Sequence, residues 1–450
     1  MIDLSCKKYG VISLGCDKNR VDSEKLLAVI RAGGGTVCND VSEAQVVIVN
    51  TCAFLNSARE EAIDTVLECA EYKRTGKLEK LVVTGCLPQK YIAEVFPLLT
   101  EADVFLGIND YDKFFEQLAA SYESGRVNGV GCGNCSAATE RVLTTPCHYA
   151  YLKIADGCNN CCTYCLIPKI RGRYTSYPME QLVSEASSLG DLSELIIVAQ
   201  DITRYGEDIY GSRMLVELLR KLTALENIRS VRLLYCYPNV IDEALISEIR
   251  DNDKIVKYID IPLQHSEDRI LKLMNRKGSG QSYLDLIAEL KRQIPGIAIR
   301  STFICGFPSE TEEESAALGD FIRRAELFNC GFFAYSREPD TGAFRLKGQV
   351  PKAVKNRRVK QMYAIQSKIS ENRLRSYVGG TLQVLCDGID YERGCFVGRA
   401  YFQAPDIDGK VYFFSADAVQ GEYYAVHIDG CDEYDLFGHT FDYTEEPDVG

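Results

Sequence analysis

The chain has 450 residues, 46% of them apolar and 26% charged, with a formal net charge of −13. This composition is that of a globular protein of roughly two to four domains and excludes disordered and fibrous classes. No apolar run approaches a membrane span, and no charged-then-apolar leader opens the chain, so it reads as cytoplasmic. Nineteen cysteines against four histidines then argue for reduced thiols serving as metal ligands, not for a disulfide framework.

Residues 1–125 alternate short apolar strands with amphipathic helices, a doubly wound α/β pattern. Strands are predicted at 9–14, 45–49 and 80–83, and helices at 22–31 and 58–73. A cysteine closely follows each strand: Cys16 after Gly15, Cys52 after Thr51, and Cys86 after Gly85. Ligands of an open parallel sheet gather at the carboxyl ends of its strands, so these three thiols converge on one rim and read as a metal site. Cys6, Cys38 and Cys69 lack this placement and read as core or surface thiols. Residues 126–146 form a linker carrying Gly129, Gly131, Gly133 and Pro146. Cys132 and Cys135 make a C-x2-C inside it; with no second half-site nearby, the pair reads as incidental.

From 147 to 340 the pattern is strand then helix, repeated. Strands are predicted at 151–155, 194–200, 230–236, 258–264, 297–306 and 331–336, with helices including 178–189, 215–225, 240–251 and 312–327. Six units fall short of a complete eight-stranded barrel, so a partial (βα)6 barrel is expected. Behind the first strand stand Cys158, Cys162 and Cys165, with Tyr164 just before the last. Three thiolates at this spacing can hold three irons of a 4Fe–4S cluster. No fourth cysteine follows at ferredoxin spacing, and an open coordination position marks a catalytic metal site. The strand-end triplet 16/52/86 likewise leaves one iron open. Cys161 is an extra thiol to which the spacing assigns no ligand role. Gln200, Asp201, Tyr237, Gln264, His265 and Gly306 lie at strand ends on the same rim, where barrels carry their ligands. His265 receives no role, because a strand-end histidine is more often structural. Arg300 enters the fifth strand among apolar residues and needs an anionic partner.

Residues 341–375 connect through a helix predicted at 351–377. Its basic residues, among them Lys352, Lys355, Arg357, Arg358, Lys360 and Lys368, read as a solvated face or a contact to ribosomal RNA. The tail, 376–445, is all-β, with strands at 382–386, 395–402, 411–414, 423–428 and 436–441, suiting a small five-stranded barrel. Residues 376–450 hold fifteen Asp and Glu but only Arg393, Arg399 and Lys410 as bases, a net charge of −12.

Along its whole length the chain resembles the methylthiotransferases, a branch of the radical S-adenosylmethionine (SAM) superfamily. Ser13-Leu-Gly-Cys16-Asp-Lys-Asn19, Val21-Asp-Ser-Glu24, Val49-Asn-Thr-Cys52 and Val83-Thr-Gly-Cys86 match that family's auxiliary-cluster domain. Gly157-Cys158, Cys165-Leu-Ile-Pro168, Arg171-Gly172 and Pro262-Leu-Gln-His265 match its core, and the tail resembles a TRAM domain. Val198-Ala-Gln-Asp201, Tyr205-Gly206, Leu233-Leu-Tyr235, Tyr237-Pro238, Ala404-Pro-Asp-Ile-Asp-Gly409 and Tyr434-Asp-Leu436 are similar to the branch that modifies the twelfth small-subunit ribosomal protein. Asp17 stands where a proline is usual, Ser230 where a tryptophan is usual, and Tyr401-Phe402-Gln403 replaces smaller residues.

The resemblance implies two 4Fe–4S clusters, on Cys158, Cys162 and Cys165 and on Cys16, Cys52 and Cys86. SAM would occupy the open iron of the first, with Tyr164, Gln200, Asp201, Gln264, Arg300 and Gly306 as candidate SAM contacts; the SAM carboxylate is one candidate partner for Arg300. It implies hydrogen abstraction from the β-carbon of an aspartate in that ribosomal protein, sulfur insertion and methylation to 3-methylthioaspartate. The implied partners are the substrate protein and an electron donor such as flavodoxin or ferredoxin, and the enzyme is expected to be monomeric. Sister branches methylthiolate adenosine in transfer RNA; an acidic tail opposes RNA binding, which demands a basic surface. An iron–sulfur carrier without enzymatic activity would instead carry closed four-cysteine sites.

Overall fold

In this computed structural model residues 3–133 and 140–443 are described. The amino-terminal sheet has strands β1 (Lys8–Ser13), β2 (Thr36–Val37), β3 (Val46–Thr51), β4 (Lys80–Gly85), β5 (Val104–Phe105) and β6 (Val127–Asn128). All pair in parallel in the order β2-β1-β3-β4-β5-β6. Helices α1 (Asp17–Ala32), α2 (Asn56–Thr75), α3 (Cys86–Leu98) and α4 (Phe114–Ser124) connect them. Every residue of β3 is buried, as a strand covered on both faces should be. The winding reverses between β1 and β3, which makes that strand end a topological switch point, the place where ligands bind in such sheets. Three strands were legible from apolar runs; β2, β5 and β6 are two residues each, too short to show a period. β6 lies inside the stretch read as linker, so this sheet extends to Asn128.

The second unit begins with β7 (Tyr149–Lys153), followed by a two-stranded clasp, β8 (Ala155–Asp156) with β9 (Thr175–Ser176). Strands β10 (Glu194–Val198), β11 (Val231–Leu233), β12 (Ile255–Asp260), β13 (Ala298–Cys305) and β14 (Asn329–Ala334) then join β7 in sequence order. All neighbours are parallel, and the sheet stays open, giving the partial barrel. The helices are α5 (Ile167–Ile170), α6 (Met179–Ser188), α7 (Leu215–Thr223), α8 (Glu243–Asp251), α9 (Asp268–Leu273), α10 (Gly280–Gln293) and α11 (Glu312–Ala325). Leu182, Leu218, Leu219, Ile249, Leu290 and Ile322 pack these helices on one sheet face.

Helix α12 (Lys352–Arg375) leads into the tail. Lys352, Arg357, Lys360 and Lys368 are exposed as expected. Arg358 is not: it is buried against Glu310 at 2.9 Å, so the basic run is only partly a solvated face. Strands β15 (Thr381–Asp390), β16 (Cys395–Arg399), β17 (Val411–Phe414), β18 (Tyr423–Cys431) and β19 (Leu436–Thr440) form a closed barrel, which leaves no free sheet edge. The other face of the core sheet, through Tyr149, Tyr151, Ile196 and Tyr258, packs on this barrel in one apolar cluster. Phe402 stacks on Phe328 at 4.5 Å between centroids. Glu194 at the start of β10 bridges Arg232 and Arg399, so a buried charge triad pins the tail to the core. Among the described residues no helix is long and apolar enough to cross a membrane.

Candidate functional site

The three strand-end cysteines meet at the switch point. Cys16 caps α1, Cys52 follows β3, and Cys86 opens α3. Backbone conformation lets these ends approach. Gly15 has φ +90°, and a Cβ there would lie 2.7 Å from Cys52 Cβ. Gly85 has φ +94°, and its Cβ would lie 2.3 Å from Asn50 Oδ1. Asn19, one turn into α1, ties the rim together: its Nδ2 donates to Leu14 O and Thr51 O, both at 3.0 Å, and its Oδ1 accepts from Cys86 Sγ at 3.7 Å. Burial pushes the Cys86 thiol up to about 12 and raises Cys52, each further raised by the charge of its neighbouring cysteines. Thiolates at such a site require a metal cation to hold them deprotonated.

The second triplet sits in the loop held by the β8–β9 clasp. Gly157 has φ +75°, and a Cβ there would lie 2.2 Å from Arg173 O, so only glycine fits where the loop doubles back. The Cys158 amide donates to Gly172 O at 3.3 Å, and Thr163 is bound through its amide to Met274 O at 3.0 Å. The amides of Asn160 and Ile167 each point at a cysteine sulfur, Cys158 and Cys165, at 3.5 Å. Cys161 is exposed with φ +50°. Cys132 is exposed; Cys135 lies outside the described residues.

The two triplets share one interface. Leu166, adjacent to Cys165, packs in the same apolar cluster as Cys86. Arg171 crosses the boundary: Nη1 meets Asp156 Oδ2 at 2.7 Å, Nη2 meets Asp22 Oδ2 at 3.0 Å, and Nη2 also reaches Cys86 Sγ at 3.8 Å. Lys153 bridges the same two carboxylates. Burial alone would raise Asp156, but Arg171 and Lys153 hold it well below the usual carboxylate range. On the opposite side Tyr235, half-buried with φ +63°, donates to Asp17 Oδ1 at 3.2 Å, while Lys18 Nζ sits 3.2 Å over its ring. Glu338 beyond β14 accepts from the Asn56 amide at 2.9 Å and from Arg59 at 2.8 Å. The cysteine-bearing rim of the first sheet is thereby docked onto the rim of the partial barrel.

The strand-end residues expected around SAM separate into two groups. Gln200 donates to Asp156 Oδ1 at 3.0 Å and leaves a buried Oε1 without a partner. Gln264 and Gly306 both have φ +73° at strand ends, and Tyr164 packs with Ile270, Met274, Phe307 and Tyr335 beneath the loop. Gln200 and Tyr164 border the loop, Gln264 pairs through its amide with Thr302 O at 2.8 Å, and a Cβ on Gly306 would lie 2.4 Å from Lys355 Cγ. Asp201 is instead enclosed by its own neighbours, accepting from Asn160 Nδ2 at 2.9 Å and Thr203 N at 3.1 Å; it shapes the loop. Arg300 finds its anions within the chain, Asp260 at 3.1 Å and Asp408 of the tail at 3.3 Å. His265 is buried, with Nδ1 accepting from the Glu267 amide at 3.0 Å and Nε2 3.6 Å from Glu310.

Arg276 escaped sequence reading: it follows a short helix beside Lys277 and looks like an ordinary helix-end base, yet it is buried against Cys162. A cavity of about 570 Å³ opens there, lined by Asn159, Asn160, Arg204, Tyr237, Lys272 and Arg276 among others. Among the described residues no group of three His, Cys, Asp or Glu side chains is placed to hold a single metal ion, the convergence zinc requires. A cluster instead spreads its thiolates over different irons, and two all-cysteine triplets are the donor sets it takes.

Residues 8–107 match the family described as uncharacterized protein family UPF0004, 152–322 the radical SAM superfamily, and 378–440 the TRAM domain. The ribosomal protein uS12 methylthiotransferase RimO of Lachnoclostridium phytofermentans is 45% identical over 96% of this chain and 99% of its own length. The protein of that name from Clostridium botulinum is 44% identical over 96% of this chain and 97% of its own length. The fold is similar to the radical SAM methyltransferase TsrM from Kitasatospora setae, with TM-score 0.51 at 15% identity, covering 75% of this chain and 76% of that one. Three family models along the chain and relatives matched over nearly their whole length agree, and the chain belongs to the RimO family of radical SAM methylthiotransferases.

Proposed function

We propose that this chain methylthiolates the β-carbon of an aspartate in ribosomal protein uS12, giving 3-methylthioaspartate. The observation that carries the proposal is the shared interface of the two cysteine triplets, beside one cavity rim. When bound, the two 4Fe–4S clusters and SAM supply an electron, a hydrogen-abstracting radical, a sulfur atom and a methyl group. The protein's part is to place these groups and keep water away. Cys158, Cys162 and Cys165 hold one cluster, and Cys16, Cys52 and Cys86 the other. Gly157, Asn160 and Thr163 set the loop, while Leu166, Ile170 and Tyr164 close the apolar floor beneath it. Gln200, with its free Oε1, and the left-handed positions Gln264 and Gly306 are the SAM-facing groups. Asp201 positions the loop, and Arg300 ties core to tail.

The tail selects the substrate. Glu392, Asp417, Asp429, Asp432, Glu433 and Asp442 are exposed, whereas Arg399 is buried in the domain interface. A surface of this sign attracts a basic ribosomal protein and repels phosphate backbones. Lys272 and Lys277 at the cavity mouth would meet an acidic one-electron donor of the flavodoxin or ferredoxin type. Both sites are built within one chain, in keeping with a cytoplasmic monomer. Anaerobically reconstituted enzyme offered uS12 and transfer RNA separately should modify uS12 alone; modification of the RNA and not the protein would overturn this reading.

A further inference from the structure

Arg276 is 7% exposed and lies just beyond α9. Its Nη1 is 3.9 Å from Cys162 Sγ, its guanidinium stacks 4.4 Å from the Tyr237 ring centre, and its Nη2 donates to Pro262 O. Its Nε is buried without a partner. Tyr164, Cys162, Tyr237 and Tyr283 are the groups that surround its charge, and among the described residues no carboxylate pairs with it. The other deeply placed arginines differ. Arg141, Arg171, Arg232, Arg300, Arg358 and Arg399 each meet at least one Asp or Glu. A buried charge without a counter-ion is strongly destabilising, so the anion Arg276 answers to is one that the folded chain alone does not supply.

We propose that Arg276 is the counter-ion of the cluster held by Cys158, Cys162 and Cys165, compensating its thiolates and raising its reduction potential. The inference rests on the reading of that triplet as cluster ligands. Net charge and hydrogen bonds to sulfur set the potential of such a cluster, and a full positive charge beside Cys162 favours the added electron. One electron leaves the external donor and enters the cluster, and no proton moves to or from Arg276. Arg171 is the internal contrast. It reaches Cys86 Sγ at 3.8 Å, but Asp22 and Asp156 offset its charge, so it orients the rim without a comparable field.

The test is a spectroscopically monitored redox titration of the anaerobically reconstituted full-length enzyme beside Arg276→Gln, Arg276→Lys and Arg171→Lys. Arg276→Gln is expected to reduce its core cluster about tenfold less at a fixed potential, a shift of about 59 mV for a one-electron couple. Its auxiliary cluster should stay at the wild-type value. Arg276→Lys keeps the charge and should recover most of the loss, and Arg171→Lys should leave the core cluster unmoved. In metal-free protein Arg276→Gln should raise the melting temperature, because it removes an uncompensated cation; a purely structural residue would lower it. An unchanged core potential in Arg276→Gln, or equal shifts at both clusters, would overturn the proposal. If Arg276→Gln fails to assemble the core cluster, a wild-type potential in Arg276→Lys supports the counter-ion role and an equal failure of Arg276→Lys overturns it. Wild-type-like iron in a Cys158, Cys162 and Cys165 triple variant would instead overturn the cluster reading itself.

Discussion

Cys158, Cys162 and Cys165 share one loop, whereas Cys16, Cys52 and Cys86 arrive from the ends of three strands in one sheet. The loop triplet depends chiefly on local geometry: Gly157 and the clasp between β8 and β9 set it, with Asp201 and Met274 O holding Asn160 and Thr163. The strand-end triplet depends on sheet register and on Asn19, which reaches two strand ends and the Cys86 thiol. A local site should survive disturbance of the first domain, and an assembled one should not. The charge around each differs in the same sense. Arg171 comes to the assembled site already neutralised by carboxylates, while Arg276 meets the loop site bare.

The comparison can be broken at several points. The largest effect is expected from Cys158→Ala, Cys162→Ala and Cys165→Ala together, which should abolish 5′-deoxyadenosine formation while the iron of the other site remains, measured by chromatography and metal analysis. Next comes Arg141→Met. Arg141 is fully buried between Glu24 of α1 and Glu185 of α6, and stranding those carboxylates should cost about 3–5 kcal/mol in denaturant unfolding. Asn19→Ala removes the tie across the strand ends at about 2–3 kcal/mol. It should lose auxiliary-site iron selectively; equal loss from both sites would show that the two are not built independently.

Acid should reach the domain boundaries before the cores. Burial would raise Glu194, but Arg232 and Arg399 outweigh it and lower its pKa, as Arg171 and Lys153 do for Asp156. Groups with depressed folded values stabilise above the unfolded carboxylate value of about 4 and lose that contribution as pH falls below it. Melting temperature should therefore be flat above about pH 5 and fall steeply below about pH 4; Asp156→Asn should flatten the fall. The smallest structural effect belongs to Glu392→Lys with Glu433→Lys, exposed residues whose exchange should change stability by less than about 0.5 kcal/mol. The same pair should raise KM for uS12 and make it less salt-sensitive.

The loop triplet was legible because spacing along the chain carries it. The strand-end triplet was legible because a cysteine closely follows each of three strands in turn, although nothing local records that the three ends meet. Two-residue strands such as Thr36–Val37 offer no periodicity to read. Arg300 was correctly read as needing an anion, but the partner that came from the tail, Asp408, lies 108 positions on and no local pattern points to it. Arg358 shows the same limit: a basic run looks solvated until a distant carboxylate, Glu310, is packed beneath it. Arg276 is harder still, because what distinguishes it is the missing carboxylate, a property of the packed interior alone.

The most direct measurement offers SAM, reductant and uS12 to the enzyme in which Cys16, Cys52 and Cys86 are replaced by alanine. 5′-Deoxyadenosine is followed by chromatography and uS12 by mass spectrometry. Continued SAM cleavage with no methylthio group on uS12 is the expected result. Methylthiolated uS12 from that variant would contradict the division of labour between the two sites.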